Sequence, residues 1–370
     1  MPAKRIAIAV LLLAVSSPLL AQATLVVDAN QGPGTQFTDI PPAIAAAAPG
    51  DVIVVRAGSY TGFTVNKPLS IVASSLGVVS ITPPTGGLAF SIDRLPSDTD
   101  FAMRGLVVSG FIGGAINDCR GRVLLEGVDT PSLNVSSSDQ VMLNRCRMAP
   151  IGCAILASSV ATSECSAGGF TMFGSTVHLA RTDVPAATLP LSGGGGILMG
   201  FSTVTVGGDS STVIAAALFA TPAPAIRGDG SLTIDPDVVL APSAGQPPVA
   251  PAISVTVAEL PTLAARGAPI GGSLQVELRG EPSDLFTLIG GMPSVPLLIP
   301  ALSGAMWIAP TTAIVVAAGV LDASARHAQS FLVPNDPAFV GVVVGWIGVA
   351  GPAAQSPRFT NNVGHTQSAD

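Results

Sequence analysis

The hexapeptides VLLEGV at residues 123–128, VMLNRC at 141–146 and VATSEC at 160–165 follow one pattern. Each begins with a three-residue apolar or β-branched run and ends in a small apolar residue. Successive side chains of a β-strand point to opposite faces of its sheet. We therefore expect the first, third and sixth residues to point inward and the second, such as Leu124, to point outward.

Runs of this kind recur along the middle of the chain. Those that begin at Phe101, Val123, Val141, Val160 and Val177 start 22, 18, 19 and 17 residues apart, and a second series of short apolar runs lies between them. Gly, Ser, Asn and Asp cluster where the runs join, as turns require. Strands this short cannot form a sheet alone, but coiling the chain stacks equivalent strands in parallel. We predict a parallel β-helix, with an ordinary β-sandwich as the alternative.

The entrance to this region resembles a known family. PGDVIVVRAGSY at Pro49–Tyr60 follows the alanine-rich stretch Ala43–Ala48 and precedes KPLSI at Lys67–Ile71. This arrangement is similar to the first coil of the right-handed, pectin-lyase-like β-helix proteins, and the similarity extends over roughly residues 26–251. The resemblance implies that a short helix, here Ile40–Ala48, caps the core, since a bare terminal coil would leave an edge that invites association. It leaves the activity open.

A second domain follows the proline-rich stretch Ala241–Pro251. Beyond it the repeat stops, and strand-like runs separated by Gly and Pro predict a small antiparallel β-sandwich. GAPIGG at Gly267–Gly272 and TNN at Thr360–Asn362 resemble C-terminal modules of secreted planctomycete-type bacterial proteins. The predicted fold class is all-β, a right-handed parallel β-helix solenoid followed by a small antiparallel β-sandwich. The predicted division is a signal peptide at 1–23, the β-helix at 24–251, a linker at 252–265, the β-sandwich module at 266–365 and a flexible tail at 366–370.

The N-terminus has the pattern of an export signal. Lys4 and Arg5 precede the apolar run Ile6–Val15, and AQA at Ala21–Ala23 has the small residues of a cleavage site. The run is shorter than the roughly 20 residues that a spanning helix needs. We predict a secreted or cell-surface protein that loses this cleavable signal peptide and has no transmembrane span in the mature chain.

Composition excludes two classes of protein. Hydrophobic residues make up 48% of the chain and charged residues 11%, which is too apolar for a disordered protein. The formal net charge is −7 at pH 7, so we expect no nucleic-acid partner.

One outward column of the predicted coils carries charge. It contains Gly105, Gly127, Arg145, Glu164 and Arg181, and coils stack about 4.8 Å apart, so the last three would form an alternating ladder. Such a strip could grip acidic sugars. The alternative is a set of surface ion pairs that fix the register of the coils, each contributing about 0–1 kcal/mol.

Four cysteines lie in the predicted solenoid. Cys146 and Cys165 fall 19 residues apart in one inward column, so a disulfide between coils is geometrically possible, and export would permit it. A buried thiol ladder is the alternative. We predict no zinc site, because the sequence has no C-x-x-C pair and no nearby pair of histidines.

Catalytic constellations are weak in this sequence. Lyases and glycosidases of the family resembled here use clustered carboxylates, whereas the carboxylates of this chain are scattered, and Asp235-Pro236-Asp237 has the composition of a turn. We predict no cofactor and no metal site, since no clear ligand cluster supports calcium. If the protein is an enzyme, the candidates are the four residues that share neighbouring coils, Glu164, Asp183, Arg145 and Arg181.

These observations favour an exported, non-catalytic β-helix protein that acts as an extracellular or cell-surface scaffold. Its predicted partners are polysaccharide or cell-surface components, because a long repetitive flank suits an extended chain. A polysaccharide lyase or glycoside hydrolase of the pectin-lyase-like fold is the first alternative. A purely structural surface component is the second.

Overall fold

The computed structural model describes residues 22–74, 77–185, 196–216, 222–299, 302, 305–353 and 356–368. The predicted signal peptide lies outside these residues except for Gln22 and Ala23. One helix, α1 (Ile40–Ala46), and 23 short strands form the first part of the chain. The strands are β1 (Thr24–Val27), β2 (Val52–Val55), β3 (Gly58–Thr61), β4 (Phe63–Val65), β5 (Ser70–Ala73), β6 (Val79–Thr82), β7 (Phe90–Asp93), β8 (Asp100–Arg104), β9 (Leu106–Val108), β10 (Gly114–Asn117), β11 (Arg122–Glu126), β12 (Asp129–Ser136), β13 (Gln140–Asn144), β14 (Arg147–Leu156), β15 (Ser159–Ser163), β16 (Ser166–Ala167), β17 (Phe170–Phe173), β18 (Thr176–Ala180), β19 (Ile197–Gly207), β20 (Val213–Ala215), β21 (Ile226–Ile234), β22 (Val239–Ala241) and β23 (Ile253–Val257).

These strands coil into a parallel β-helix with three faces, and 21 of them belong to one sheet. Face A consists of β1, β2, β5, β8, β11, β13, β15, β18, the second parts of β19 and β21, and β23. Face B consists of β3, β6, β9, the first parts of β12 and β14, and β16. Face C consists of β4, β7, β10, the second parts of β12 and β14, β17, and the first parts of β19 and β21. The predicted fold class is confirmed.

The predicted register is also confirmed. Val141 pairs with Val123 on one side and Val160 on the other, and all three side chains are buried in the core of the solenoid. Alternation along each strand therefore directs every second side chain inward, and the inward side chains of the three faces form one continuous apolar interior.

Coils in the middle of the solenoid turn at two corners where one residue has a positive φ. At the corner that follows face A these residues are the predicted outward column, Gly105, Gly127, Arg145, Glu164 and Arg181, with φ between 47° and 74°. Glycine adopts this conformation at no steric cost, whereas a residue with a Cβ is strained there by roughly 1–2 kcal/mol. Stacking between coils holds the strained positions, since Arg145 donates its backbone N–H to the Ser163 carbonyl of the next coil at 2.8 Å.

Polar side chains stack inside the corner between faces C and A. The backbone N–H of Ser138 donates to the Ser158 Oγ at 3.1 Å, and Ser158 donates in the same way to Ser175. Cys119 begins this column, because its N–H donates to the Ser138 Oγ at 3.2 Å. The ladder satisfies backbone donors that the turn would otherwise leave buried without partners.

Cys146 and Cys165 have the same role at the corner that follows face A. The N–H of Cys146 donates to the Cys165 Sγ at 3.3 Å, and each of the two thiols lies 3.3 Å from a carbonyl oxygen of the preceding coil. All four cysteines are free and buried in the structure. This is the geometry of the thiol ladder; a disulfide between Cys146 and Cys165 stays a prediction.

Helix α1 closes the N-terminal end of the solenoid. The Asp39 side chain caps it by accepting the Ile40 N–H at 2.8 Å, and prolines occupy its first turn. Ile40, Ala43 and Ile44 are buried against the solenoid core. The predicted capping helix is therefore present.

The C-terminal module consists of two larger antiparallel sheets and a hairpin. The first sheet has the order β24–β25–β30, the second β29–β26–β31 with β32 and β33 beside β31, and the hairpin is β27–β28. Buried side chains from both sheets, including Val276, Leu288 and Trp346, form its core as in a sandwich. The strands are β24 (Thr262–Arg266), β25 (Ser273–Arg279), β26 (Leu285–Gly291), β27 (Pro293–Leu298), β28 (Ala305–Ile308), β29 (Ile314–Val320), β30 (Arg326–Leu332), β31 (Val343–Gly351), β32 (Arg358–Phe359) and β33 (Val363–Thr366), with a 3-10 helix at Pro337–Phe339.

The module packs against face A of the solenoid. Trp307 and Val343 bury the outward side chains of β8, β11, β13 and β15, which are Ala102, Leu124, Met142 and Ala161. Nearer the N-terminus, Val340 covers the outward valines of β2 and β5. Leu124 points outward as predicted, but it is only 1% exposed because the module covers it.

Two predicted segments differ from the structure. The predicted linker, 252–265, contains β23, which pairs with the solenoid, and most of β24, which pairs with the module. The predicted flexible tail, 366–370, does not fit residues 366–368, which are all buried. Thr366 is the last residue of β33, and Glu126 and Arg104 of the solenoid bind its backbone. The boundaries of the two domains stay predictions.

Candidate functional site

A column of polar side chains at the end of face A binds the backbone of the module. Glu126 accepts the Thr366 N–H at 2.8 Å, and the Arg104 guanidinium donates to the Thr366 carbonyl. One coil further, Asn144 donates to the carbonyls of Ala265 at 2.9 Å and Gly364 at 3.1 Å. Strands β24 and β33 would otherwise present unpaired edges, so the solenoid supplies the missing hydrogen-bond partners.

The residues predicted from the sequence as catalytic candidates separate into two groups. Glu164 and Arg181 form an ion pair between coils at 3.3 Å, and the module covers both. Arg145 occupies the same corner but is exposed. Asp183 lies on face B, where its carboxylate accepts the Val213 N–H at 3.0 Å. The structure therefore brings together only Glu164 and Arg181 of the four.

Glu164 and Arg181 belong to a longer chain of ion pairs across the junction. Arg266 of the module contacts Glu164 at 3.1 Å, and Arg181 contacts Glu277 of the module at 3.5 Å. Arg279 continues the series of ion pairs, because it contacts Glu277 of the module and Asp209 of the solenoid. We call this set the seam ion pairs; its members are Arg266, Glu164, Arg181, Glu277, Arg279 and Asp209.

The seam ion pairs shift the pKa values of Glu277 and Arg266. Burial by itself would raise the pKa of Glu277, but the hydrogen bond from Arg279 and the charges of Arg279 and Arg181 hold that pKa below its usual value. Hydrogen bonding to Glu164 raises the pKa of Arg266. Both shifts favour the charged forms, so these groups act as fixed partners in the junction rather than as proton donors or acceptors near neutral pH.

A large cavity lies beside the seam ion pairs. This seam cleft has a volume of about 790 Å³ and lies between the last coils of the solenoid and the module. Its wall carries three guanidinium groups, from Arg279, Arg326 and Arg358, and a set of carboxylates. The carboxylates belong to Asp209, Asp235, Asp237, Glu259, Glu281 and Asp284.

Two of these carboxylates have raised pKa values. Burial raises the pKa of Asp235, and the charges of Asp237 and Glu259 add to the effect, although Asp235 accepts the backbone N–H groups of Asp237 and Leu260. Burial raises the pKa of Glu281 in the same way, with a further contribution from the neighbouring acids. Acidic groups from both the solenoid and the module therefore lie close together in the cleft.

A smaller cavity of about 220 Å³ adjoins the seam cleft and shares Arg358 with it. Its floor is the outward column of face A, where His178, Thr205 and Thr233 stand on successive coils. Burial lowers the pKa of His178, so its imidazole is neutral near pH 7. The outward column is thus apolar where the module covers it and polar where the cavities open.

Within the described residues, no group of three or more His, Cys, Asp or Glu side chains is arranged to hold a metal ion. No helix among them is long and apolar enough to cross a membrane. No protein-family model matches this chain, and no curated protein matches it.

Sequence reasoning missed most of the seam cleft. Asp235 stood out only as part of a turn, and Glu281 and Arg358 belong to the predicted sandwich, far away in sequence. The polar run of His178, Thr205 and Thr233 at outward positions was a usable signal, because the equivalent positions on earlier coils are apolar.

Proposed function

We propose that this chain is an exported, non-catalytic β-helix protein that binds polysaccharide as an extracellular or cell-surface scaffold. The observation that carries this proposal is the seam cleft with its adjoining hydroxyl-lined floor. Guanidinium, carboxylate, imidazole and threonine groups together offer both donors and acceptors. Sugar hydroxyl groups also donate and accept, so a polar cleft of this size suits a segment of a glycan chain better than an apolar ligand.

Three sequence features support the wider assignment. The turn at Pro49–Tyr60, the capping helix and the long parallel sheet support membership of the pectin-lyase-like β-helix proteins. The GAPIGG and TNN motifs support a planctomycete-type module. The pattern of residues 1–23 supports export.

The contacts of Glu164 and Arg181, two of the predicted catalytic candidates, support a binding function. Glu164 contacts two arginines and Arg181 contacts two glutamates, so the charge of each side chain is paired with two opposite charges. A general acid or base must instead exchange a proton with substrate. These two residues therefore fit a role in joining the module to the solenoid.

The test is affinity electrophoresis of the purified chain in gels that contain polygalacturonate, alginate, xylan or dextran. We expect retardation by at least one polysaccharide, and Arg358→Ala should weaken it by about tenfold, since hydrogen bonds to a charged group contribute roughly 1.5–3 kcal/mol. Arg147→Ala is the matched control, because Arg147 is exposed on face B and pairs with Asp129. No retardation in any gel, or equal effects of the two variants, would contradict the proposal.

A second candidate function is hydrolysis or lysis of the same polysaccharide, and the raised pKa values of Asp235 and Glu281 favour it. Catalytic acids of glycosidases are carboxyl groups with raised pKa values. Incubation of the wild-type chain with each polysaccharide, followed by assays of reducing and unsaturated ends, distinguishes the two functions. Product that disappears in both Asp235→Asn and Glu281→Gln would establish the enzyme, whereas retardation without product supports the scaffold.

A further inference from the structure

The two ends of the solenoid differ in whether another part of the chain covers them. Helix α1 covers the N-terminal end and buries its apolar side chains in the core. At the other end the last strand of face A, β23, pairs with β21 and with no other strand in the described part of the chain. The C-terminal end of the sheet is therefore an open edge.

The open edge exposes residues that belong to the core column. Val255 continues the inward column of Leu232, and Val257 continues that of Ile234. Leu232 and Ile234 are buried, whereas Val255 is 44% exposed and Val257 63% exposed, because no further coil covers them. Burying apolar surface of this kind is favourable by about 25 cal/mol per Å².

The edge of β23 that faces away from β21 pairs with no other strand in the described part of the chain. Ala258 donates its backbone N–H to the Ile234 carbonyl. In a parallel pair every second residue faces its partner strand, so the backbone N–H and carbonyl groups of Thr256 and Ser254 also point toward β21. The N–H and carbonyl groups of Val255 then point to the open edge. Native edge strands are usually protected by charges, prolines or bulges, and Ile253–Val257 contains none of these.

We propose that a second copy of this chain covers the open edge by pairing its β23 antiparallel to the first, about a two-fold axis at Val255. The chemistry of the strand is self-complementary in this arrangement. Ile253 faces Val257 of the second copy, Ser254 faces Thr256, and Val255 faces its own equivalent. Apolar residues thus meet apolar residues and hydroxyl groups meet hydroxyl groups, which are the stabilising cross-strand pairs.

The same register keeps the acidic residues apart. Extended beyond the strand, it places Glu259 opposite Pro251 of the second copy, so the two acidic walls of the seam clefts lie at opposite ends of the paired strands. Because α1 blocks the other end of each solenoid, the contact closes as a dimer and cannot propagate into a filament.

The test is sedimentation velocity of the purified full chain over a hundredfold dilution series. We expect a dimer at high concentration that dissociates on dilution, and Val257→Lys should raise the dissociation constant at least tenfold. Val78→Lys is the matched control, since Val78 is also 63% exposed but lies outside the open edge. Val255→Pro is a second variant, because it removes an N–H that makes no bond to β21; circular dichroism verifies that each variant folds.

Three outcomes would overturn the proposal. They are a wild-type chain that stays monomeric throughout, a Val257→Lys variant that dimerises like wild type, and an assembly larger than a dimer. The oligomeric state of the wild-type chain does not bear on polysaccharide binding, and Val255 lies outside the lining of the seam cleft, so this inference and the proposed function can fail separately.

Discussion

Glu126 accepts a hydrogen bond from the backbone N–H of Thr366 at 2.8 Å, although 240 positions separate the two residues in the sequence. The carboxylate is only 1% exposed and lies one coil from Arg104, which donates to the carbonyl of the same threonine. Burial raises the pKa of Glu126, while the charge of Arg104 opposes the shift. The pair fixes the end of β33 against the solenoid and so positions the module.

Glu126→Ala is expected to destabilise the protein by about 2 kcal/mol, because it leaves the buried Thr366 N–H without a hydrogen-bond acceptor. Urea denaturation of variant and wild type measures the change in the free energy of unfolding. Hydrogen exchange at residues 363–366 should rise with it. Glu126→Gln keeps an acceptor for the Thr366 N–H and should cost less than the alanine variant; an equal or larger cost would contradict this account.

Gly267→Ala tests the same contact from the module. A Cβ at this position would lie 2.7 Å from the Glu126 Oε1 and 3.1 Å from the Arg104 Nη1. We expect a loss of roughly 1–3 kcal/mol, as for overpacking in general, measured by the same denaturation experiment. Gly345→Ala is the matched control, because a Cβ there would have its nearest contact at 3.5 Å, an ordinary van der Waals distance. Equal costs at the two glycines would contradict the proposed clash.

Trp307→Ala should loosen the module from the solenoid. Trp307 is 4% exposed and packs on outward side chains of face A, including Leu124 and Met142. Truncation of a buried Trp costs about 3–5 kcal/mol. Thermal unfolding of the variant is expected to separate into two transitions, one for the module and one for the solenoid. Phe201→Ala is the control, because Phe201 is 86% exposed and its removal should leave the unfolding curve unchanged.

The sequence predicted the coils well because their signal is local and repeated. The spacing of Val123, Val141 and Val160 fixes the register, and the charges at Glu164 and Arg181 fall on one corner as expected. The apolar outward residues Leu124 and Met142 also carried a signal, since an exposed sheet face is rarely apolar at successive positions.

The seam cleft could not be predicted in the same way. Asp235 lies at the end of a solenoid strand, whereas Glu281 and Arg358 lie in the module, and only the packing of the module on face A brings them into one cavity. Residues 366–368 of the predicted flexible tail are buried for a related reason. A polar C-terminal sequence is typical of a mobile end, but here Glu126 and Arg104 supply partners for its backbone.

Thiol counting tests the ladder of cysteines. Burial raises the pKa of the Cys119, Cys146 and Cys153 thiols, and all four cysteines are buried, so the native chain should react slowly with a thiol reagent. In denaturant without reductant we expect four reactive thiols per chain. Two thiols, rising to four after reduction, would instead show one disulfide, and peptide mapping would then test whether it joins Cys146 and Cys165.

Glu281→Gln should stabilise the protein at neutral pH. Burial and the neighbouring acids Glu259, Asp237, Asp235 and Asp284 raise the pKa of Glu281 in the folded state. The folded chain then binds this proton more tightly than the unfolded chain, so the free energy of unfolding falls as the pH rises from the unfolded pKa through the folded pKa. The glutamine variant has no proton to lose at this position, so its free energy of unfolding does not fall in this way. At pH 7 we expect a gain of roughly 0.5 kcal/mol, which disappears below about pH 4, where Glu281 is protonated in both states.

Glu277→Gln provides the matched control for this pH dependence, because it makes the same chemical change in the adjacent strand β25. The hydrogen bond from Arg279 and the charges of Arg279 and Arg181 outweigh burial and lower the pKa of Glu277, so its contribution to stability is present at neutral pH and lost as the pH falls through the folded pKa. The two variants should therefore shift the melting temperature in opposite directions at pH 7 and converge on wild type in acid. Shifts of the same sign would show that the charge on the wall of the cleft does not govern stability there.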